Sequence, residues 1–196
     1  MTAIGLPKQI VLQDYTVITL RPMAPEDKNG VLAFFRRLPV DDRQYLEDDV
    51  SRAEIVEGAG DSEQVLPILA ECEGDVVGYA TLHRKAFGRV RHVGEIWVAT
   101  DVYFRRRGLA SAIAREVYHL ALQLGLDKMV AEMTADQVAA VRIFEKLGFQ
   151  QEARLANHIV DLRGRKHDLI VMTTDVPVLM RKMEETFLQL AGSVDG

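Results

Sequence analysis

Hydrophobic positions along the chain switch between a period of two and a period near 3.6, and the switches mark the elements. Residues 15–21, YTVITLR, are β-branched and aromatic and end at Pro22, which predicts a strand. Pro25-Glu26-Asp27 then predicts a helix start, since proline fits a first turn and acids suit its positive end. The helix carries Val31, Leu32, Phe34, Phe35 and Leu38 and stops before Pro39. Residues 41–57 repeat the helical pattern through Tyr45, Leu46, Val50, Ile55 and Val56, and EGAGDSEQ reads as a loop. VLPILAECEGDVVGYATLHR is two apolar runs around Glu73-Gly74-Asp75, a hairpin signal. A longer strand is expected from about Val90 to Val98. Leu109, Ile113, Val117, Leu120, Ala121 and Leu124 then fall at helical spacing, with Gly125 as a stop. DKMVAEMT reads as a short buried strand. Asp136 precedes a helix with Ala140, Val141, Phe144 and Leu147, ended by Gly148. QEARLANHIVDLRGRKHDLIVMTT reads as a second hairpin turning at Arg163-Gly164, and Pro177 to about Ala191 as a final amphipathic helix.

The order β-α-α-β-β-β-α-β-α-β-β-α puts several strands before the first strand–helix–strand crossover. That predicts an α+β (mixed α/β) fold: a central mixed sheet, mostly antiparallel, with a parallel pair at the crossover and helices on its flanks. No linker divides the sequence, so one domain over 1–196 is expected, with a core of about 15–174 and a C-terminal helix of about 177–191.

Composition narrows the function classes. The net charge of -5 argues against broad binding to nucleic acid or an anionic membrane, which needs a positive field. The single cysteine, Cys72, excludes an internal disulfide or a CxxC metal pair, and its strand context suggests a small core residue. MTAIGLPKQ lacks the basic and apolar segments of a signal peptide, and no apolar run nears the ~20 residues of a membrane span. A cytoplasmic protein is the expectation. His158, Asp161, His167 and Asp168 sit near the last hairpin, but across a tight turn they need not share a face, and no metal site is expected.

Against that acidic background, YFRRRGLASAIAREV (103–117) places three arginines at the mouth of a helix. Each opposes the helix dipole by about 0.3–1 kcal/mol, a local conflict of the kind that marks functional sites. A helix N-terminus offers unpaired N–H groups and positive potential, and a preceding glycine lets a ligand come close. Gly108 and the N–H groups of residues 106–110 therefore suggest a diphosphate site, with the arginines adding field. The stretch lacks both the GxxxxGK[ST] of a P-loop and the glycine spacing of a dinucleotide fingerprint.

Arg105-x-x-Gly108-x-Ala110 resembles the [QR]-x-x-G-x-[GA] signature of the GNAT superfamily of acetyl-CoA-dependent N-acetyltransferases. DQVAAVRIFEKLGF (136–149) is similar to that family's N-x-x-A-x-x-x-Y-x-x-x-GF segment, and the element order from Tyr15 to Thr174 also resembles the fold. The resemblance implies a GNAT-like sheet whose parallel pair is splayed, with acetyl-CoA as cofactor. Its pyrophosphate would lie on the backbone of Arg106, Arg107, Gly108, Leu109 and Ala110, with Arg105 opening the motif. Its pantetheine arm would pair with the backbone of Val98, Ala99 and Thr100. Gln137 and Phe144 occupy the Asn and Tyr positions of the second segment. Dimers are common in the superfamily, so a homodimer through the last hairpin or final helix is a further expectation.

The partner implied is an amine acceptor: a small amine, a protein lysine or an N-terminus. An amine of pKa 10.4 is neutral in only ~1 part in 2,500 at pH 7, a handicap of roughly 4.6 kcal/mol that a general base relieves. Glu95, in VGEIWVA beside the cofactor strand, is one candidate. Glu132, between apolar neighbours in MVAEMT where burial would raise its pKa, is the other. Phe144 has no proton for the leaving thiolate. A thiol of pKa about 8.5 is only ~2 kcal/mol from thiolate at pH 7, so water, Tyr103 or Thr134 would suffice. Phe34, Phe35 and Trp97 are core residues or pocket walls, and His158 is a candidate substrate contact. The acidic run Asp41, Asp42, Glu47, Asp48, Asp49 is a solvated face or, near the pocket, a bias towards cationic acceptors. The departures at Gln137 and Phe144 keep a second class in view, a GNAT-fold module that senses acyl-CoA without turning it over.

Overall fold

In a computed structural model of the chain, residues 5–39, 42, 64–161 and 163–178 are described. The expected helix over 41–57 lies outside them apart from Asp42, as does most of the final helix, of which only residues 176–178 are seen, in helical conformation. One strand was not anticipated. β1 (Lys8–Val11) pairs antiparallel with β2 (Val17–Pro22), and its four residues are too few for a readable period.

A 3-10 turn at Pro25–Asp27 opens α1 (Lys28–Arg37). Asp27 accepts the Ala24 N–H at 2.7 Å and both guanidinium nitrogens of Arg21 at 2.6 and 2.8 Å, tying the helix entry to β2. Leu38 is extended, as the residue before a proline prefers, and the helix ends there. β3 (Val65–Cys72) and β4 (Asp75–Arg84) form the expected hairpin. Its two turn residues, Glu73 and Gly74, both adopt positive φ (52° and 90°), the primed geometry that matches strand twist. Next come β5 (Val93–Thr100), α2 (Leu109–Gln123), β6 (Lys128–Thr134), α3 (Val138–Lys146), β7 (Gln150–Val160) and β8 (Lys166–Asp175).

The eight strands lie in the order β1-β2-β3-β4-β5-β6-β8-β7. Every neighbouring pair is antiparallel except β5–β6, so the sheet is mixed with a single parallel pair among the described strands. α1 covers one face: Val31, Phe34, Phe35 and Leu38 pack on Leu69, Val76 and Tyr79. α2 and α3 cover the other, where Ile113, Val117 and Phe144 meet Ile96, Met129, Ala131 and Met172. α2 lies unusually close to the sheet at Gly78, where a Cβ would stand 2.6 Å from the Ile113 Cδ1.

Candidate functional site

The site begins where the parallel pair stops. β5 and β6 pair only over Val93–Glu95 and Lys128–Val130. β5 then runs on to Thr100, bonded to β4 alone, and β6 to Thr134, bonded to β8 alone. A wedge opens between them, walled by two strand edges. The edge of β5 includes Val98, Ala99 and Thr100, so their backbone groups on this side are available to an extended chain carrying amides.

At the mouth of the wedge the chain turns through a 3-10 segment, Val102–Phe104, into α2. Asp101, 6% exposed, fixes this turn: its carboxylate accepts the Tyr103 N–H at 3.0 Å, and its own N–H donates to the Val77 carbonyl at 2.9 Å. Arg106 (φ 59°) and Gly108 (φ 92°) are both left-handed, an alternation that gathers successive N–H groups into a concave nest, a shape suited to anions. Gly108 is required for its φ rather than for room, because the nearest atom to a Cβ there is the Gln13 Nε2 at 3.8 Å. Among the described residues, no group accepts a hydrogen bond from the N–H groups of Arg106, Arg107, Gly108, Leu109 or Ala110. Leu109 itself is buried, so only its backbone faces the nest.

The three arginines are not equivalent. Arg105 pairs with Asp42, and Arg107 pairs with Asp14 at 2.7 Å while stacking on the Phe104 ring at 5.3 Å. Arg106 has no ion partner among the described residues. The β1–β2 turn braces the nest a second time, the Gln13 N–H donating to the Arg107 carbonyl at 3.2 Å. A hydrogen bond from Thr16, with Arg107 nearby, holds the Asp14 carboxyl below the usual range.

Glu95, Trp97 and Ala99 alternate onto the α1 face of β5, opposite His83, Thr81 and Tyr79 of β4. Glu95 is half-buried at the vertex of the wedge, in the last parallel pair. The desolvation expected for Glu132 is absent. Met129, Ala131 and Met133 take the buried face of β6, which turns Glu132 outward onto the α1 face, exposed. The two carboxylates therefore share a face across the wedge, and only Glu95 is shielded.

Phe144 is 7% exposed and packs edge-on against Phe149 at 5.0 Å, so its side chain belongs to the core. Gln137 accepts the Thr134 N–H at 2.9 Å through its side-chain oxygen and pins the β6–α3 turn. Tyr103 is 78% exposed, whereas Thr134 is buried. Phe34 and Phe35 are fully buried; Trp97 is half-buried and extends their cluster to the wedge, 6.0 Å from the rings of Phe35 and Tyr79. His158 is exposed. His167 and Asp161 do meet, 3.1 Å apart, against the expectation from the hairpin turn: with Ile159 opposite His167 and the Asp161 N–H donating to the Arg165 carbonyl, Asp161 and His167 are diagonal neighbours on one face. Asp136 holds the other imidazole nitrogen.

The family model for the acetyltransferase (GNAT) family matches residues 32–149. The chain belongs to the GNAT family. Among curated proteins, the L-amino acid N-acetyltransferase of Escherichia coli (strain K12) is 29% identical over 97 residues, 49% of this chain and 60% of that protein. N-alpha-acetyltransferase 30 of Xenopus laevis is 27% identical over 92 residues, 46% of this chain and 32% of that protein. The chain thus spans 60% of the length of the first of these relatives and 32% of the second. Of solved structures, the GNAT domain of S. lividans PAT superposes with a TM-score of 0.74 at 16% identity, covering 86% of this chain and 96% of that one. A putative acetyltransferase from Salmonella typhimurium, solved with acetyl-CoA, gives 0.72 at 21% identity, covering 81% and 94%. These likenesses establish the GNAT fold. No helix among the described residues is long and apolar enough to cross a membrane.

Asp101, Asp14, Gln13 and Arg37 support the GNAT nest without belonging to its signature. Of these only Asp101 left a sequence signal, an acid directly after a strand where a turn of helix begins.

Proposed function

We propose that this GNAT protein transfers the acetyl group of acetyl-CoA to a primary amine by direct attack in a ternary complex. The observation that carries the reading is the continuity of two unsatisfied surfaces: five open amides at the start of α2, leading into a wedge with open strand edges. A diphosphate satisfies the first and an extended chain with amide groups satisfies the second. Acetyl-CoA has both, and its thioester supplies the activated acyl group.

The residues then divide the work. The nest of Arg106–Ala110 grips the pyrophosphate, and Arg106 adds a charge that no acid among the described residues pairs. The pairs Arg105–Asp42 and Arg107–Asp14, with 33–45% exposed side chains, are worth roughly 0–1 kcal/mol each and exchange readily for phosphate oxygens. Backbone groups of Val98–Thr100 align the arm so that the thioester lies near the vertex. Glu95 removes the proton from the incoming ammonium, directly or through one water, and the neutral amine attacks the carbonyl carbon. The tetrahedral adduct loses its second nitrogen proton to solvent and collapses, the C–S bond breaks with the electron pair going to sulfur, and the thiolate takes a proton from solvent. With Phe144 sealed in the core, no side chain there is available for that last step.

The acceptor class that best fits the named relatives is an α-amine, on a free amino acid or a protein N-terminus. The test is thiol release from acetyl-CoA across α-amines, ω-amines and lysine peptides, with calorimetry of coenzyme A binding beside it. Binding with turnover of an α-amine is the expected result. Binding without turnover of any amine overturns the enzymatic reading, and absence of binding removes the cofactor assignment.

A further inference from the structure

Tyr79 carries a buried hydroxyl that has no hydrogen-bond partner among the described residues. It stands in the middle of β4, opposite Ala99 of β5, and is 6% exposed. Its ring lies edge-on to Phe35 at 5.1 Å and to Trp97 at 6.0 Å. Among the described residues no group exchanges a hydrogen bond with its oxygen. Tyr118, equally buried at 5%, shows the ordinary solution, giving its hydroxyl to the Val176 carbonyl. Buried polar groups are nearly always paired, and the exceptions call for an explanation. Phenylalanine would fill the same space beside Phe34 and Phe35 without that cost.

We propose that Tyr79 is a substrate-contacting residue of the acceptor site, its hydroxyl donating a hydrogen bond to a carbonyl or carboxylate oxygen next to the acceptor's α-amine. The inference rests on the acetyl-transfer reading above. Position supports it. Tyr79 shares a face with Glu95 and Trp97, the side of the sheet opposite α2 and α3, where α1 packs over Tyr79 while Glu95 and Trp97 stay half-exposed. Glu95 and Ala99 are four positions apart on one strand, about 13 Å. Trp97 lies between them as an aromatic floor.

Burial pushes the Tyr79 hydroxyl up to about 12, so it keeps its proton throughout the working range. Passing that proton to a thiolate of pKa near 8.5 would run against a gradient of roughly 3,000-fold. The hydroxyl is therefore a donor that orients, and not an acid that protonates the leaving group. An oxygen on the acceptor matches a fixed donor, whereas an alkylamine without one leaves the hydroxyl as it is now.

The experiment is Tyr79→Phe, assayed by thiol release from acetyl-CoA. The acceptors are the best L-amino acid amide found with the wild type and the matched amine lacking its carboxamide. For the amide, kcat/KM is expected to fall about tenfold or more, the effect of losing one well-placed hydrogen bond. The matched amine should lose less than about threefold, KM for acetyl-CoA should stay within about twofold, and the melting temperature should hold or rise. Unchanged kinetics for the amide, or equal losses on both amines, overturn the inference. So does a lowered melting temperature with losses on every substrate, which would mark a structural residue. A wild type that turns over other amines but no amino acid amide overturns the inference and leaves the enzymatic reading standing. A wild type with no turnover at all removes both.

Discussion

Arg37, in the last turn of α1, reaches Asp101 at 3.5 Å while donating to the Val76 carbonyl at 2.7 Å, and so ties a helix on one face of the sheet to the loop that opens the helix on the other. Asp101 is the joint, since its second oxygen holds the Tyr103 N–H. Asp101→Ala should cost about 1–2 kcal/mol from the lost cap and the stranded N–H, lowering the melting temperature by roughly 2–8 °C. Coenzyme A affinity should drop several-fold alongside it. Asp101→Asn retains an acceptor for Tyr103 and should recover most of the stability. Equal melting temperatures for the two variants would show that the cap has no role.

The arginines can be separated by charge reversal. Arg106→Glu removes a cation with no ion partner among the described residues, and calorimetry should show coenzyme A binding weakened about tenfold or more. Arg107→Glu should cost less, because that charge is already paired with Asp14. It also places two acids together, so a modest loss of stability is expected. The reverse ranking would mean that the paired arginines meet the phosphates and Arg106 does not.

Glu95→Gln should reduce turnover most at neutral pH, where almost all of a pKa 10.4 amine is protonated, and much less near pH 10, where free amine is abundant. Glu132→Gln, exposed across the wedge, should alter kcat less than about threefold. A pH-independent loss in Glu95→Gln would assign that residue to structure, and a larger loss in Glu132→Gln would exchange the two roles.

His167 gives the fold a pH dependence of its own. Hydrogen bonds to Asp161 and then Asp136 raise its pKa above the ordinary value. Burial would push the Asp161 carboxyl up, but N–H groups of the 163–165 turn, His167 and the Arg165 guanidinium outweigh it and hold it far below the usual range. Because the folded-state value of His167 is raised, its stabilisation is complete below about pH 6.5 and disappears as pH climbs through the raised value. His167→Gln should therefore melt below the wild type at pH 6, and the gap should close by pH 9. A gap that stays constant over this range would mean that the histidine acts by packing alone.

Most of this architecture was legible in the chain because it rests on repeated local signals. The β3–β4 hairpin needed only two apolar runs and Glu73-Gly74, and α1 was bounded by Pro25 and Pro39. The nest was visible as a conflict, three cations where the dipole disfavours them. What escaped depends on contacts between distant segments. β1 is four residues long and declares itself only by pairing with β2. Which arginine is uncommitted depends on Asp14 and Asp42, which lie 93 and 63 positions away from their partners. The exposure of Glu132 was in the alternation of MVAEMT, where its apolar neighbours point to the opposite face and cannot desolvate it. Tyr79 resembled any other core aromatic until its oxygen proved to have no hydrogen-bond partner among the described residues.

The brevity of the β5–β6 ladder has a consequence for the protein without its ligands. Three paired positions leave two raw strand borders facing each other in the interior of a sheet, where most folds have none. Amide protons of Val98–Thr100 that point into the gap should exchange with deuterium quickly in the empty protein and slowly once acetyl-CoA lies between the strands. In mechanical terms, a cofactor bound as proposed would act as a zipper for a seam that the polypeptide leaves open, and saturating it should stiffen the two halves of the sheet into one plate.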